Sequence, residues 1–167
     1  IPAGVTSNCF SFGDHGYLVE YRYNYEQMYR DTMAAYVENY NRLLSGEDIS
    51  VYFYFVNNCR SMDFTENLAG ENPVYQDLMG KLTCVDHHRA LQIHSMDDYE
   101  KWFYATDHHW NHSGAQQGYE DIIHLLLGEE EKPYQPVEEI CTDAVFNGSY
   151  TQQTEIKRNR NFCKCRA

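Results

Sequence analysis

A single α/β domain, a mostly parallel sheet flanked by helices, is the fold class the sequence predicts. Three observations predict it. Tyr25, Met28, Tyr29, Met33, Tyr36, Val37, Tyr40, Leu43 and Leu44 recur at the spacing of one helix face, across residues 24–44. Ile49 to Val56 reads ISVYFYFV, a β-branched and aromatic run typical of a strand buried on both faces in a parallel sheet. A second helical pattern begins at Ser113, where Ser113-Gly114-Ala115-Gln116 has capping-box spacing, and its face is Ala115, Tyr119, Ile122, Ile123, Leu126 and Leu127.

The remaining elements follow in order. Residues 5–12 and 17–23 read as extended pieces around the turn chemistry of Gly13-Asp14-His15-Gly16. Ser45-Gly46 closes the first helix, as glycine does just past a helix end, and its aromatic stripe reads as core. Asn57-Asn58-Cys59-Arg60 follows the strand at its carboxyl end, where open α/β sheets bind ligands, although ordinary loop polarity is the preferred reading. Residues 61–72 read as a surface loop, Pro73–Leu82 as a short helix with proline in its first turn, and Ala90–Ile93 as a short strand. Met96–Phe103 reads as a further helical turn or two. Gly128 ends the Ser113 helix, and beyond Pro136 the pattern fades.

Composition excludes several classes. The chain has 167 residues, enough for one domain, and 43% hydrophobic content with 15% aromatic residues is incompatible with disorder. No apolar run approaches the ~18 residues of a membrane span. With 25 acidic and 13 basic residues the net charge is −12, which argues against a nucleic-acid partner. Five of the 13 basic residues (Lys157, Arg158, Arg160, Lys164 and Arg166) crowd the end of the chain, a pattern that reads as a solvated tail or a strap across the acidic body. The six cysteines contain no CxxC pair and so no zinc framework; their even number allows one to three disulfides, or buried thiols in a reducing compartment.

Chemistry concentrates in the histidines. Residues 87, 88, 94, 108, 109, 112 and 124 are seven of the eight, and Asp-His-His occurs twice, at 86–88 and 107–109. A carboxylate two residues before a histidine can accept from one ring nitrogen and fix the tautomer, freeing the other nitrogen to take a proton from a hydroxyl. Asp107 and His109 have that spacing; a structural pair capping local backbone fits it equally well. A looser zinc or copper set would draw on His87, His88, His108, His112 and a carboxylate, but adjacent histidines point opposite ways, so no metal and no cofactor is expected.

The segment Phe103 to Tyr119, with Thr106-Asp107-His108-His109-Trp110 and Gly114-Ala115, resembles the motif of the bacterial DHHW family. It is similar also to the Asp-x-His-Trp segment of alginate O-acetyltransferases, which are SGNH-hydrolase-like proteins. Gly16-Tyr17-Leu18 resembles their first strand, and Asp143 to Ser149 their Asp-Phe-x-Gly-small stretch, so the likeness spans about residues 16–150 and leaves 151–167 outside it. The resemblance implies a flavodoxin-like α/β sheet and acyl transfer to or from a sugar hydroxyl. It places the protein outside the cytoplasmic membrane, with a carbohydrate or cell-envelope glycan as substrate and membrane-associated proteins as partners. Asp107 would be the orienting acid, His109 the general base, and Trp110 would pack beneath them.

One departure matters. The group's nucleophile lies in Gly-Asp-Ser, and the chain's single Gly-Asp, Gly13-Asp14, precedes His15. Ser149 in Gly148-Ser149-Tyr150 is the nearest substitute; otherwise the serine lies outside this chain and the sheet is incomplete at its C-terminal end. Two alternatives stand beside this reading. One is a non-catalytic glycan- or protein-binding α/β module. The other follows from Cys84-Val85-Asp86-His87-His88-Arg89, which resembles the manganese-binding segment of DHH phosphoesterases but has no Asp-x-Asp upstream.

Overall fold

The computed structural model describes residues 9–12, 16–20, 25–57, 73–91, 93–154 and 161–166. Among these residues the strands form three two-stranded pairs. Strand β1 (Cys9–Phe12) runs antiparallel to β2 (Tyr17–Glu20), with Phe12 opposite Tyr17 and Cys9 opposite Glu20. Gly16, at φ 72°, enters β2 through the left-handed region that glycine occupies without strain. Tyr17, Leu18 and Val19 are buried with Leu91, Ile93, Tyr99, Trp102, Phe103, Ala105 and Tyr150 in the larger of two apolar clusters.

Helix α1 (Tyr25–Leu44) ends as expected, with the Ser45 N–H on the Asn41 carbonyl and Gly46 at φ 87°. Among the residues whose side chains are described, its stripe is only partly used. Met33, Val37 and Leu44 pack on the smaller cluster, whereas Tyr36, Tyr40 and Leu43 are 52%, 52% and 56% exposed. At roughly 100° per residue the first three share one narrow sector, and the exposed three lie about 60–120° round from Val37. The expectation that the aromatic stripe is core fails at Tyr36 and Tyr40 for that reason.

The parallel pair is β3 (Tyr52–Phe55) with β4 (His87–Ala90), Tyr52 facing His87 and Phe55 facing Ala90. Helix α2 (Pro73–Lys81) joins α1 on one face, where Leu78, Leu82 and Cys84 meet Phe53 and Phe55. Tyr54, pointing the other way along the pleat, donates its hydroxyl to Asp121 Oδ2 (2.8 Å) on helix α4 (His112–Leu127). Helices thus cover both faces, the α/β arrangement expected. Burial and hydrogen bonding to Asp121 push the Tyr54 phenol well above its usual range. Two details differ from the sequence reading. The β3 strand is half-buried rather than sealed, and the next strand starts at polar His87, ends at Ala90 and leaves Leu91 and Ile93 to fill the core beyond it.

Beyond Leu91 come α3 (Met96–Trp102), β5 (Glu138–Val145), α5 (Ser149–Thr154) and β6 (Asn161–Arg166). Of the basic residues at the end of the chain, Lys164 and Arg166 lie on β6, which pairs antiparallel with β5, and Lys157, Arg158 and Arg160 lie outside the described residues. Cys141 is disulfide-bonded, Cys84 is a buried free thiol, and the buried Cys9 thiol donates to Gln153 Oε1 (3.2 Å). Cys59 and the rest of Asn58–Arg60 lie outside the described residues, as does the 61–72 loop. Asn57 is structural, its amide donating to the Leu91 carbonyl at 2.8 Å in a buried position. Among the described residues no helix is long and apolar enough to cross a membrane.

Candidate active site

Residues 103–110 form a closed loop between α3 and α4. Phe103 and Trp110 make an isolated antiparallel bridge, the Tyr104 N–H reaches the His109 carbonyl (3.2 Å), and the Asn111 N–H reaches the Trp102 carbonyl (2.7 Å). Phe103 is anchored by stacking on Tyr99, with ring centroids 4.6 Å apart and 5° between planes. Asn111, not Ser113, caps α4. Its Oδ1 accepts from the Gly114 N–H (3.0 Å), and its amide donates to the carbonyls of Lys101 (3.0 Å) and Phe103 (3.2 Å). Asparagine equals serine as an N-cap and here also closes the loop, so it wins; Ser113 lies in the first turn, its hydroxyl on His112 Nε2 (3.2 Å). Trp110 rests on α4 where glycines leave room: a Cβ on Gly118 would lie 2.4 Å from its ring, and one on Gly114 would lie 2.3 Å from the Trp102 carbonyl oxygen. The buried residues of α4 are Gly114 and Gly118; Ala115, Leu126 and Leu127 of the expected apolar face are exposed.

This frame presents Asp107 and His109 together. Asp107 Oδ1 accepts from the His109 ring at Nδ1 (2.5 Å) and from the His109 N–H (3.0 Å). Oδ2 accepts from the Ser149 N–H (2.7 Å). The carboxylate side chain is 8% exposed and the imidazole 67%, so a buried acid holds a ring that faces solvent. Burial alone would raise the Asp107 pKa, but the hydrogen bonds from the Ser149 and His109 backbones, the His109 ring and the Ser149 hydroxyl outweigh it and hold the group below the usual carboxylate range. Nearby Tyr104 is pushed up by burial and by the negative charge of Asp107.

Three residues that the sequence reading left outside the acid–imidazole couple complete the arrangement. Thr106 Oγ1 accepts from the Gly148 N–H (2.9 Å), and its carbonyl accepts from the Tyr150 N–H (3.0 Å), docking residues 148–150 alongside 106–107. At Gly148 a Cβ would meet Asp107 Cβ at 2.4 Å, Asp107 Oδ2 at 2.5 Å and the Thr106 carbonyl oxygen at 2.6 Å, so only glycine fits. His108 turns to the same side as His109: their ring centroids are 3.9 Å apart, and His108 Nδ1 lies 3.1 Å from Ser149 Oγ and 3.6 Å from Asp107 Oδ1. The rule that neighbouring histidines diverge fails here because the loop is a tight turn rather than an extended strand. The one signal in the sequence was Gly148-Ser149, whose small residues mark a close approach.

Ser149 therefore sits in the cluster, but the imidazole its hydroxyl meets is His108. Asp107, His108 and His109 each bring one ligand atom to within 4.8 Å of the others, a set able to hold a metal ion. The other histidines are elsewhere. Asp86 Oδ2 accepts from the Val51 N–H (2.8 Å), His87 stacks on Tyr52 (4.9 Å), His88 Nδ1 bonds the Tyr75 hydroxyl (2.5 Å), and Arg89 pairs with Asp121 and Glu129. The first Asp-His-His thus serves the sheet edge, and no metal-capable group forms there among the described residues. A cavity of about 420 Å³ lined by Arg89, Ala90, Leu91, Trp102, Gln117 and Asp121 is distinct from the couple.

No protein-family model matches the sequence, and no curated protein matches it. Among solved structures the fold is similar to that of Bacillus cereus PatB1, with a TM-score of 0.60 and 19% identity over 95% of this chain. The chain spans 58% of the length of PatB1, and the likeness shows a shared α/β fold.

Proposed function

We propose that the protein is a carbohydrate O-acetyltransferase or ester hydrolase in which Asp107 orients His109 and His109 draws the proton from the attacking hydroxyl. The observation that carries this is the 2.5 Å contact between Asp107 Oδ1 and His109 Nδ1, with the acid buried and the ring open to solvent. An ionised carboxylate at that distance keeps the hydrogen on Nδ1 and leaves the Nε2 lone pair available as a base. It also stabilises the imidazolium formed when the proton arrives. The fold shared with PatB1 supports the coarse class, a carbohydrate acetyltransferase with a cell-envelope glycan substrate.

Ser149 takes a holding role in this reading, because its N–H secures Asp107 and its hydroxyl is engaged by Asp107 and His108. The hydroxyl that His109 deprotonates then belongs to water or to a sugar acceptor, and a Ser149 nucleophile is the competing assignment. The disulfide-bonded Cys141 supports a location outside the cytoplasmic membrane, where such bonds persist.

Hydrolysis of p-nitrophenyl acetate and of an O-acetylated glycan tests the reading. His109→Ala should lower turnover by on the order of a hundredfold or more, the usual worth of a positioned base. Ser149→Ala should retain most of it. Equal rates for the wild-type protein and His109→Ala would refute the catalytic reading and favour a glycan-binding module. Loss in Ser149→Ala matching that in His109→Ala would make Ser149 the nucleophile.

A further inference from the structure

Two imidazoles and a carboxylate converge at the candidate site, where an acid–base couple needs only one imidazole. We infer that Asp107 Oδ1, His108 Nδ1 and His109 Nδ1 form a site for a borderline divalent cation, Zn²⁺, whose binding reverses the tautomer of His109 and so switches the couple off. The inhibitory consequence rests on the catalytic role proposed above; the binding itself does not.

The donor set suits zinc, which takes imidazole nitrogen and carboxylate oxygen together. His109 Nδ1 and His108 Nδ1 lie 2.5 and 3.6 Å from the same carboxylate oxygen. Tetrahedral zinc with bonds of ~2.0–2.2 Å sets its ligand atoms roughly 3.3 Å apart, so one separation widens and the other closes by less than about 1 Å. Both movements are open to side chains that are 67% and 39% exposed. Solvent can fill the fourth position. The Ser149 hydroxyl, released from His108, keeps its bond to Asp107.

The consequence follows from proton bookkeeping. Facing a carboxylate oxygen, which can only accept, His109 Nδ1 carries the ring hydrogen in the metal-free couple and Nε2 the lone pair. Zinc bound at Nδ1 replaces that hydrogen, which leaves to solvent, while Nε2 takes a proton from solvent to keep the ring neutral. No net proton is lost, but the base nitrogen now carries N–H and can no longer accept. Zinc is thus a competitor for the nitrogen through which Asp107 orients the ring.

The experiment is titration of the purified protein with Zn²⁺ against a competing chelator dye, with ¹⁵N-edited NMR of the histidine rings. One zinc should bind per chain, and the His109 N–H should move from Nδ1 to Nε2. His108→Ala should weaken binding by about tenfold or more. The double variant His87→Ala/His88→Ala should stay within about twofold of the wild-type protein, which separates this site from general cation attraction to a chain of net charge −12. Equal affinities for wild-type protein and His108→Ala, or an unmoved His109 tautomer, would overturn the inference. A zinc site of the expected kind in a protein without His109-dependent ester cleavage would overturn only the catalytic reading.

Discussion

Gly148→Ala is the perturbation that most directly loads the candidate site. The new methyl group would lie 2.4 Å from Asp107 Cβ, 2.5 Å from its Oδ2 and 2.6 Å from the Thr106 carbonyl oxygen, where ordinary contact begins at 3.4 Å. Two of these atoms belong to a buried side chain and one to the backbone, so none swings away freely. Accepting the overlap costs about 1–3 kcal/mol, the usual cost of overpacking. Backing residues 148–149 away instead lengthens two hydrogen bonds, Gly148 N–H to Thr106 Oγ1 (2.9 Å) and Ser149 N–H to Asp107 Oδ2 (2.7 Å). The first is worth about 1 kcal/mol and the second, to a charged acceptor, about 1.5–3 kcal/mol. The cheaper route sets the loss at about 1–3 kcal/mol, or a urea midpoint lowered by roughly 0.5–1.5 M at a slope near 2 kcal/mol/M. Esterase turnover should fall with it, because Asp107 loses one of the bonds that hold its carboxylate. Gly80→Ala is the control: nothing lies within 4 Å of a Cβ there, and removing a glycine from α2 should stabilise by about 0.5–1 kcal/mol. A Gly148→Ala variant within about 0.5 kcal/mol of the wild-type protein would refute the close docking of residues 148–149 on Asp107.

Two further outcomes are expected. Asn111→Ala should cost about 1–2 kcal/mol in urea unfolding, because the side chain caps α4 and also satisfies two carbonyls, those of Lys101 and Phe103; Asn111→Asp, which keeps the cap acceptor but loses the amide donor, should fall between. The low Asp107 pKa fixes a pH dependence: its stabilising contribution is fully present above the unfolded carboxylate value of about 4 and is lost as pH falls through the folded value. The stability gap between wild-type protein and Asp107→Asn should therefore shrink between about pH 5 and pH 2, and a gap that stays constant over that range would contradict the assigned hydrogen bonds.

What was legible in the sequence depended on whether the signal was local. The 24–44 helix, the hairpin around Gly16, the ISVYFYFV strand and the Asp107–His109 spacing are all short-range patterns, and each has its counterpart in the structure. Strand β4 escaped because its first residues, His87 and His88, satisfy themselves on Tyr52 and Tyr75 rather than by alternating burial, so no period-two pattern marks it. The α1 stripe misled for a related reason: periodicity shows which residues share a helix face but not how much of that face a partner covers. The larger gap concerns the site itself. Asp107 is held across 42 positions by the Ser149 N–H, a backbone group that carries no sequence signature, and Gly148-Ser149 marks a close approach without naming its partner. His108 completes the point. Its sequence neighbour His109 drew attention because a spacing rule applied, yet the turn that brings both rings to one carboxylate is a property of the Phe103–Trp110 bridge and the Asn111 cap. A couple read from two residues becomes, in three dimensions, a cluster of four polar side chains. The properties that would make it catalytic or metal-sensitive, namely which nitrogen carries the proton and what else can replace that proton, reside in the two members that spacing alone does not reveal, His108 and Ser149.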